Sequence, residues 1–391
     1  MRKKSTTYLL IIALIASLAL NMAHPVTPML IKSLNLPTFM FGVFFATMSI
    51  GNFLGSPIFG GISDNNGRIK YMIIGLLGYG ISQLGFGFSS NSLIIVIFRF
   101  LGGFFVTSYL TVVMAYLTDI TDKNNRLKYI SYFAAATTIG SALGSLAGGL
   151  IGNTNYKSTF LVQFIFCILI SIIIWCLLLE TVTEKSNDIK IKFNMVSIKN
   201  YYGGMSKNLT LVIFVVILFF FASTSYNSSI NYYIESVLNL PPSFNGVFLS
   251  VAGIIGFLAN LLITPYLDKK FVDIKVFKFL TFLLGVILIL AVLSPSTLMF
   301  FVFIILFVAV CSIHVPLQQS LVTKISGGNH GSNMGLLNSS KAIGMICGSL
   351  FSGFIFDFGS KLPFLIAGII LMVGSIIIFK SNIKLSENIL K

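Results

Sequence analysis

Few side chains in this sequence can carry a charge or hand over a proton inside its long apolar stretches. His24 follows Asn21 by three residues and precedes Pro25; an imidazole titrates near pH 6.5 when unperturbed, so it can exchange a proton under physiological conditions. Glu235 is a carboxylate near the end of another apolar run, and His314 and Gln318 stand four residues apart on one helix face. Arg99 shares such a spacing with Gly103, Thr107 and Thr111, and Lys341 is a second cation within an apolar run. Burying a cation costs at least about 2.5–3.5 kcal/mol on insertion scales, so each needs a partner, a wet cavity or a path for the head group to the surface. No catalytic or metal-ligand constellation accompanies them, and no Gly-x-x-x-x-Gly-Lys-Ser/Thr phosphate loop occurs. Cys167, Cys176, Cys311 and Cys347 have no redox or metal spacing and read as small apolar fillers. The chemistry expected is therefore binding and displacement of a solute and of protons, without enzyme catalysis, cofactor or metal.

The elements that must position these groups are membrane helices. Apolar residues make up 56% of the 391, charged residues 9%, and the mean hydropathy is +0.94. Such a composition suits lipid rather than water as solvent. A helix crossing a hydrocarbon core of about 30 Å takes about 20 mostly apolar residues. Runs of that kind lie at roughly 7–30, 40–62, 71–88, 93–117, 129–151, 159–179, 209–232, 244–267, 276–293, 297–321, 335–356 and 363–379. The expectation is an all-α membrane protein of twelve spans. Of the 26 basic residues, Lys32, Lys157 and Lys361 fall on one side, Arg99 and Lys341 lie within spans, and the remaining 21 fall in the termini and alternate loops of the other side. The positive-inside rule then places both termini in the cytoplasm. The net charge of +15 is a topology signal and no sign of nucleic acid. Arg2, Lys3 and Lys4 before an apolar run resemble a cleavable leader, but the repeat described next argues for a retained first span.

Leu34-Asn35-Leu36-Pro37 and Gly42-Val43-Phe44 return as Leu238-Asn239-Leu240-Pro241 and Gly246-Val247-Phe248, an offset of 204 residues. At the same offset Asp64 returns as Asp268, and Gly140, Gly144, Ser145 and Gly149 return as Gly344, Gly348, Ser349 and Gly353. Two six-helix halves follow, at 1–184 and 209–391, joined by a polar cytoplasmic linker at 185–208. The spaced glycines, with Gly148, should let helices approach closely.

The loop after the second span reads Gly60-Gly61-Ile62-Ser63-Asp64-Asn65-Asn66-Gly67-Arg68-Ile69-Lys70. It resembles the signature loop of major facilitator transporters, with Asn65 where a basic residue is usual. The resemblance implies that Asp64 caps a neighbouring helix, the eleventh near Gly335, and that Arg68 pairs with Asp119. Gly60, Asp64, Gly67, Arg68 and Asp119 would then form a conformational latch. A helix-dipole contact of this kind is worth about 0.3–1 kcal/mol. Arg99-Phe100-Leu101-Gly102-Gly103 is similar to a second family signature. The small-residue run Gly140-Ser141-Ala142-Leu143-Gly144-Ser145 resembles that of the drug/proton antiporter branch, with Ser145 in place of its proline, and Leu179-Glu180-Thr181 is similar to the same branch.

The resemblance implies alternating access about a midplane site lined by the first, fourth, seventh and tenth spans. Candidate cavity residues are Asn21, His24, Arg99, Gly103, Thr107, Tyr226, Asn227, His314 and Gln318; proton carriers are sought among His24, Glu235 and His314. The function expected is proton-coupled efflux of small amphipathic toxic compounds by a multi-pass protein of the bacterial cytoplasmic membrane. The alternative is a sugar, organic-anion or metabolite transporter of the same fold. The expected partners are the solute, protons and the lipid bilayer; nucleic acid is not expected, and the fold needs only one chain.

Overall fold

The computed structural model describes residues 2–122, 125–182, 207–270, 273–325 and 330–380. Among them are twelve helices long and apolar enough to cross a membrane. The second runs to Asn66 and the third begins at Arg68, so the loop carrying the signature motif shrinks to the single residue Gly67. The linker expected at 185–208 lies almost wholly outside the described residues. Large apolar side chains point outward along these helices, among them Leu93, Trp175, Leu262 and Leu298. Surfaces of that kind are stable against lipid and not against water.

Two contact units divide the chain: residues 1–194 with 231–254, and residues 195–230 with 255–391. In the first unit, the first span packs on the fifth and sixth, the second on the fourth, and the third on the fourth and sixth. Its core joins Leu9, Ile12 and Ala16 to Leu76, Tyr79, Tyr109, Val113 and Ile174. In the second unit the ninth span packs on the tenth and twelfth, around Val212, Val216, Phe277, Leu321 and Leu337.

The sequence repeat is visible in the backbone. Asn35 (φ 49°) and Asn239 (φ 54°) occupy the left-handed region at matching positions, and they are the two non-glycine residues there among those described. Asparagine tolerates that region better than most side chains. After the first span, the Asn35 N–H donates to the Lys32 carbonyl at 3.2 Å and the Leu36 N–H to the Ile31 carbonyl at 3.0 Å. This is a Schellman stop followed by Pro37. The matching turn after the seventh span is widened: Tyr233–Val237 is π-helical, and the Leu240 N–H reaches back to the Ile234 carbonyl at 3.1 Å.

Glycine spacing decides how closely helices approach. A β-carbon on Gly140, Gly144 or Gly148 would strike the carbonyl of Leu14, Leu18 or Met22 respectively. Both rows advance four residues at a time, so one face of the fifth span seats against the first along its length. In the second unit Gly344 and Gly348 meet the carbonyls of Ile217 and Phe221 in the same way. The repeat thus encodes one helix-to-helix contact twice.

Candidate functional site

The first span is interrupted where its sequence reads His24-Pro25. Proline lacks the N–H that a helix interior needs, and residues His24–Val26 form a 3-10 turn. The Thr27 hydroxyl donates to the Ala23 carbonyl at 2.8 Å, supplying a partner at the break. Asn21, one turn earlier, donates to the Ser17 carbonyl at 2.8 Å and to the Ser141 hydroxyl at 2.9 Å, tying the first span to the fifth. His24 is half-buried, stacks on Phe45 with ring centroids 6.1 Å apart, and lies within electrostatic reach of Arg99.

Arg99 is 2% exposed, and its guanidinium lies 4.7 Å from the centre of the Phe86 ring on the third span. The stripe that continues from it, expected to line a cavity, meets the second span. A β-carbon on Gly103 would strike the Met48 carbonyl, Thr107 Oγ1 donates to Asn52 Oδ1 at 2.6 Å, and Thr111 Oγ1 lies 3.4 Å from Ser56 Oγ. Small side chains allow helix contact as readily as they allow an open wall, and here contact prevails. Beside Arg99, the buried Tyr79 hydroxyl donates to the Leu20 carbonyl at 2.9 Å. It accepts from Gln83 Nε2 at 2.5 Å and from Gln163 Nε2 at 3.2 Å.

A second polar cluster lies where residues 231–254 join the first unit. Glu235, 7% exposed, accepts from Asn245 Nδ2 at 3.0 Å; the same amide lies 3.4 Å from the Pro25 carbonyl. Lys32 is within electrostatic reach of the Glu235 carboxylate. Asn245 therefore connects the glutamate to the break in the first span beside His24. Sequence reading missed Asn245, although it marks a place where the repeat fails, opposite Phe41. Close by, Gly149 and Gly246 face each other: a β-carbon on Gly149 would lie 2.5 Å from the Pro242 carbonyl oxygen and 3.0 Å from the Gly246 Cα. The Ser250 hydroxyl donates to the Ala142 carbonyl at 2.5 Å.

The latch residues assemble at the Gly67 turn. Arg68 pairs with Asp64 one turn earlier, donates through Nε to Asp119 Oδ2 at 3.0 Å, and through Nη1 to the Ser63 hydroxyl at 2.9 Å. Glu180, noted in the sequence only for its resemblance, receives the Arg68 and Ile69 N–H groups at 2.7 and 3.1 Å. A carboxylate at the first turn of the third span offsets the positive end of that helix. Gly67 itself has φ +102°, and a β-carbon there would sit 2.6 Å from Glu180 Oε2, so both backbone and space require glycine. Gly60 faces the Thr111 methyl at an ordinary 3.5 Å. The expected cap by Asp64 on the eleventh span concerns side chains near Gly335 that lie outside the described residues.

In the second unit His314 is fully buried between Phe219 and Phe277, with ring centroids at 4.5 and 4.7 Å. Gln318 Nε2 lies 2.8 Å from His314 Nδ1, and Thr281 Oγ1 lies 2.8 Å from Nε2. The Thr281 hydroxyl already donates to the Phe277 carbonyl at 2.7 Å, which assigns the ring proton to Nε2 and leaves Nδ1 accepting. Tyr226 packs edge-on against Phe307 at 5.1 Å, and Asn227 is exposed. Gly353 lies on the buried face of the eleventh span with Ser349 and Ser352. Among the described residues no group of three or more His, Cys, Asp or Glu side chains could hold a metal ion.

Comparison with known proteins agrees with this architecture. The chain is 24% identical over 377 residues to Multidrug resistance protein 1 of Bacillus subtilis, covering 96% of each. It is 23% identical over 367 residues to the quinolone resistance protein NorA of Staphylococcus aureus, covering 92% of each. The crystal structure of a point mutant of the nucleoside transporter NupG superposes with a TM-score of 0.82 at 13% identity, over 96% of this chain and 98% of the other. With twelve spans and such bacterial relatives, this is a multi-pass cell-membrane protein. The sequence signature of the Major Facilitator Superfamily matches residues 9–307 and 275–388, and the chain belongs to that family.

Proposed function

We propose that the protein exports small amphipathic compounds, drugs among them, in exchange for protons and without catalysing a reaction. The observation that carries this reading is the match to multidrug resistance proteins along nearly the whole chain. The halves, residues 1–184 and 209–391 about a linker at 185–208, rock about a central site, with both termini in the cytoplasm, and one chain suffices. The latch of Asp64, Arg68 and Asp119, with Gly60 and Gly67 shaping its turn, closes the cytoplasmic side. On the outer side Gly149 against Pro242 and Gly246, with Glu235 on Asn245, forms a closed gate. That contact supports alternating access, because it is made backbone to backbone at glycines and is joined across by only a few side-chain hydrogen bonds, among them Ser250 to the Ala142 carbonyl.

The proton carrier is sought at the outer gate. Glu235 accepts from Asn245, whose amide also reaches the Pro25 carbonyl next to His24, so a proton entering from outside meets this region first. His314, with both ring nitrogens engaged, is the third candidate. An inward proton yields about 2.3 kcal/mol per 100 mV, enough to sustain roughly a fiftyfold solute gradient. The second reading is a dedicated transporter of organic anions; it draws support from Arg99, a buried cation with no acid beside it among the described residues of its unit.

Proteoliposomes with an imposed pH gradient test both readings. Drug-dependent dissipation of the gradient that is abolished by Glu235→Gln or His24→Ala is expected for drug/proton exchange. A response confined to organic acids or sugars would sink the multidrug reading and leave the fold alone standing.

A further inference from the structure

Arg99 is a charged group that the described chain leaves incompletely satisfied. Its Nε and Nη2 are buried and have no hydrogen-bond partner among the described residues. These two nitrogens form one edge of the guanidinium. Their N–H bonds run side by side, and this is the edge that grips a carboxylate or another anion with two parallel bonds.

The described groups nearby bring no negative charge to that edge, and the neutral acceptor Gln163 Oε1, on the amide that bonds Tyr79, is itself buried without a partner. The Tyr79 hydroxyl donates once and accepts from both Gln83 and Gln163, so both its lone pairs are in use. His24, within electrostatic reach, brings no negative charge. The Phe86 ring offers only its face. The described acids of the first unit stand elsewhere: Asp64 and Asp119 on Arg68, Asp122 exposed just beyond the end of the fourth span, Glu180 on the start of the third span, and Glu235 on Asn245. Asp119 shares a helix with Arg99 but lies about 30 Å along it, at 1.5 Å per residue. Unpaired buried charge is expensive, and where the described residues of the unit supply no counter-ion, one from outside would stabilise it.

We infer that the free edge of Arg99 is an anion subsite: it receives one monovalent anionic group side-on, with the Phe86 ring packed against the guanidinium. Two sources share that chemistry, a free halide bound as a resident counter-ion and a carboxylate carried by the transported solute. The inference deepens the exporter reading and rests on it only for the second source.

The test uses the purified full chain in detergent at fixed pH and ionic strength, with the divalent reference salt sodium sulfate exchanged for sodium chloride, bromide, formate or benzoate. The unfolding midpoint is expected to rise saturably with at least one of the four. Arg99→Lys keeps the charge but loses the paired edge, and should raise the half-saturating concentration at least about tenfold, which by the usual relation is about 1.4 kcal/mol. Arg99→Met should abolish the response if it folds; the lysine variant decides the matter if it does not. A saturable response to halides assigns the site to a free ion. A response to carboxylates alone, joined in proteoliposomes by loss of export of a carboxylate drug but not of its methyl ester in Arg99→Lys, assigns it to the solute. No saturable response in the wild type, or an unchanged one in Arg99→Lys, overturns the inference. Binding without transport of any drug would leave the subsite standing and count against the exporter reading instead.

Discussion

Adjacent glycines on the fifth span should respond to the same substitution in different ways. Gly148 faces the Met22 carbonyl of the first span, a contact within the N-terminal half. Gly149, one residue on and turned about 100° around the helix, faces Pro242 and Gly246 of the eighth span. An alanine at Gly149 would place its β-carbon 2.5 Å from the Pro242 carbonyl oxygen and 3.0 Å from the Gly246 Cα, where ordinary contact begins near 3.4 Å. The helices must move apart by roughly 0.5–1 Å, and overpacking of this size costs about 1–3 kcal/mol. If this contact parts during transport, Gly149→Ala penalises the closed outer gate and spares the open one. The outward-open population should then rise about five- to 150-fold, since 1.4 kcal/mol is a factor of ten. Gly148→Ala strains a contact that persists in every conformation, so it should lower thermal stability and leave the populations alone. The assay is maleimide labelling of a cysteine placed at Ser250 in a background lacking the native cysteines. Faster labelling with Gly149→Ala and not with Gly148→Ala is expected. Equal labelling in both would refute the assignment of the Gly149–Gly246 contact to a moving gate.

Four further outcomes are expected. Arg68→Gln leaves Asp119 without its cation; because Asp119 is 31% exposed the loss is about 1–2 kcal/mol, and initial export rates in vesicles should fall roughly tenfold, with partial recovery in Arg68→Lys. Gly67→Ala meets both a positive φ and the Glu180 carboxylate, and should reduce folded yield and melting temperature more than Gly61→Ala, where a β-carbon meets nothing within 4 Å. Asn245→Ala removes the donor to the buried Glu235 carboxylate and should lower stability by about 1–3 kcal/mol in thermal unfolding; Asn245→Ala combined with Glu235→Gln should cost less than the sum of the two, because each removes part of the same bond. Gln318→Leu takes away the donor to His314 Nδ1 and should destabilise the protein by a similar amount, seen in the same unfolding assay, while leaving the pH dependence of export unaltered if His314 is a packing residue.

Much of this molecule is legible without coordinates, because lipid is an unforgiving solvent. Every backbone polar group in the membrane must be bonded within the chain, so a run of about 20 apolar residues can hardly be anything but a helix, and twelve such runs become twelve spans. The repeat was equally readable, and its local consequence, asparagine in the left-handed region at positions 35 and 239, follows from the chemistry of that residue. The Arg68–Asp119 pair was expected from resemblance and is present. Other features depend on which helix faces meet, and spacing alone does not say. The stripe from Gly103 to Thr111 has the same pattern whether it borders water or another helix, and only packing sets it against Met48, Asn52 and Ser56. Glu180 becomes a helix cap because the sixth span ends beside the start of the third, 112 residues away in sequence. Asn245 joins Glu235 to the break at Pro25 across 220 residues. Hydrophobic periodicity determines which elements form and what solvent they meet; partners brought together over such separations are chosen by close packing, which a linear pattern does not encode.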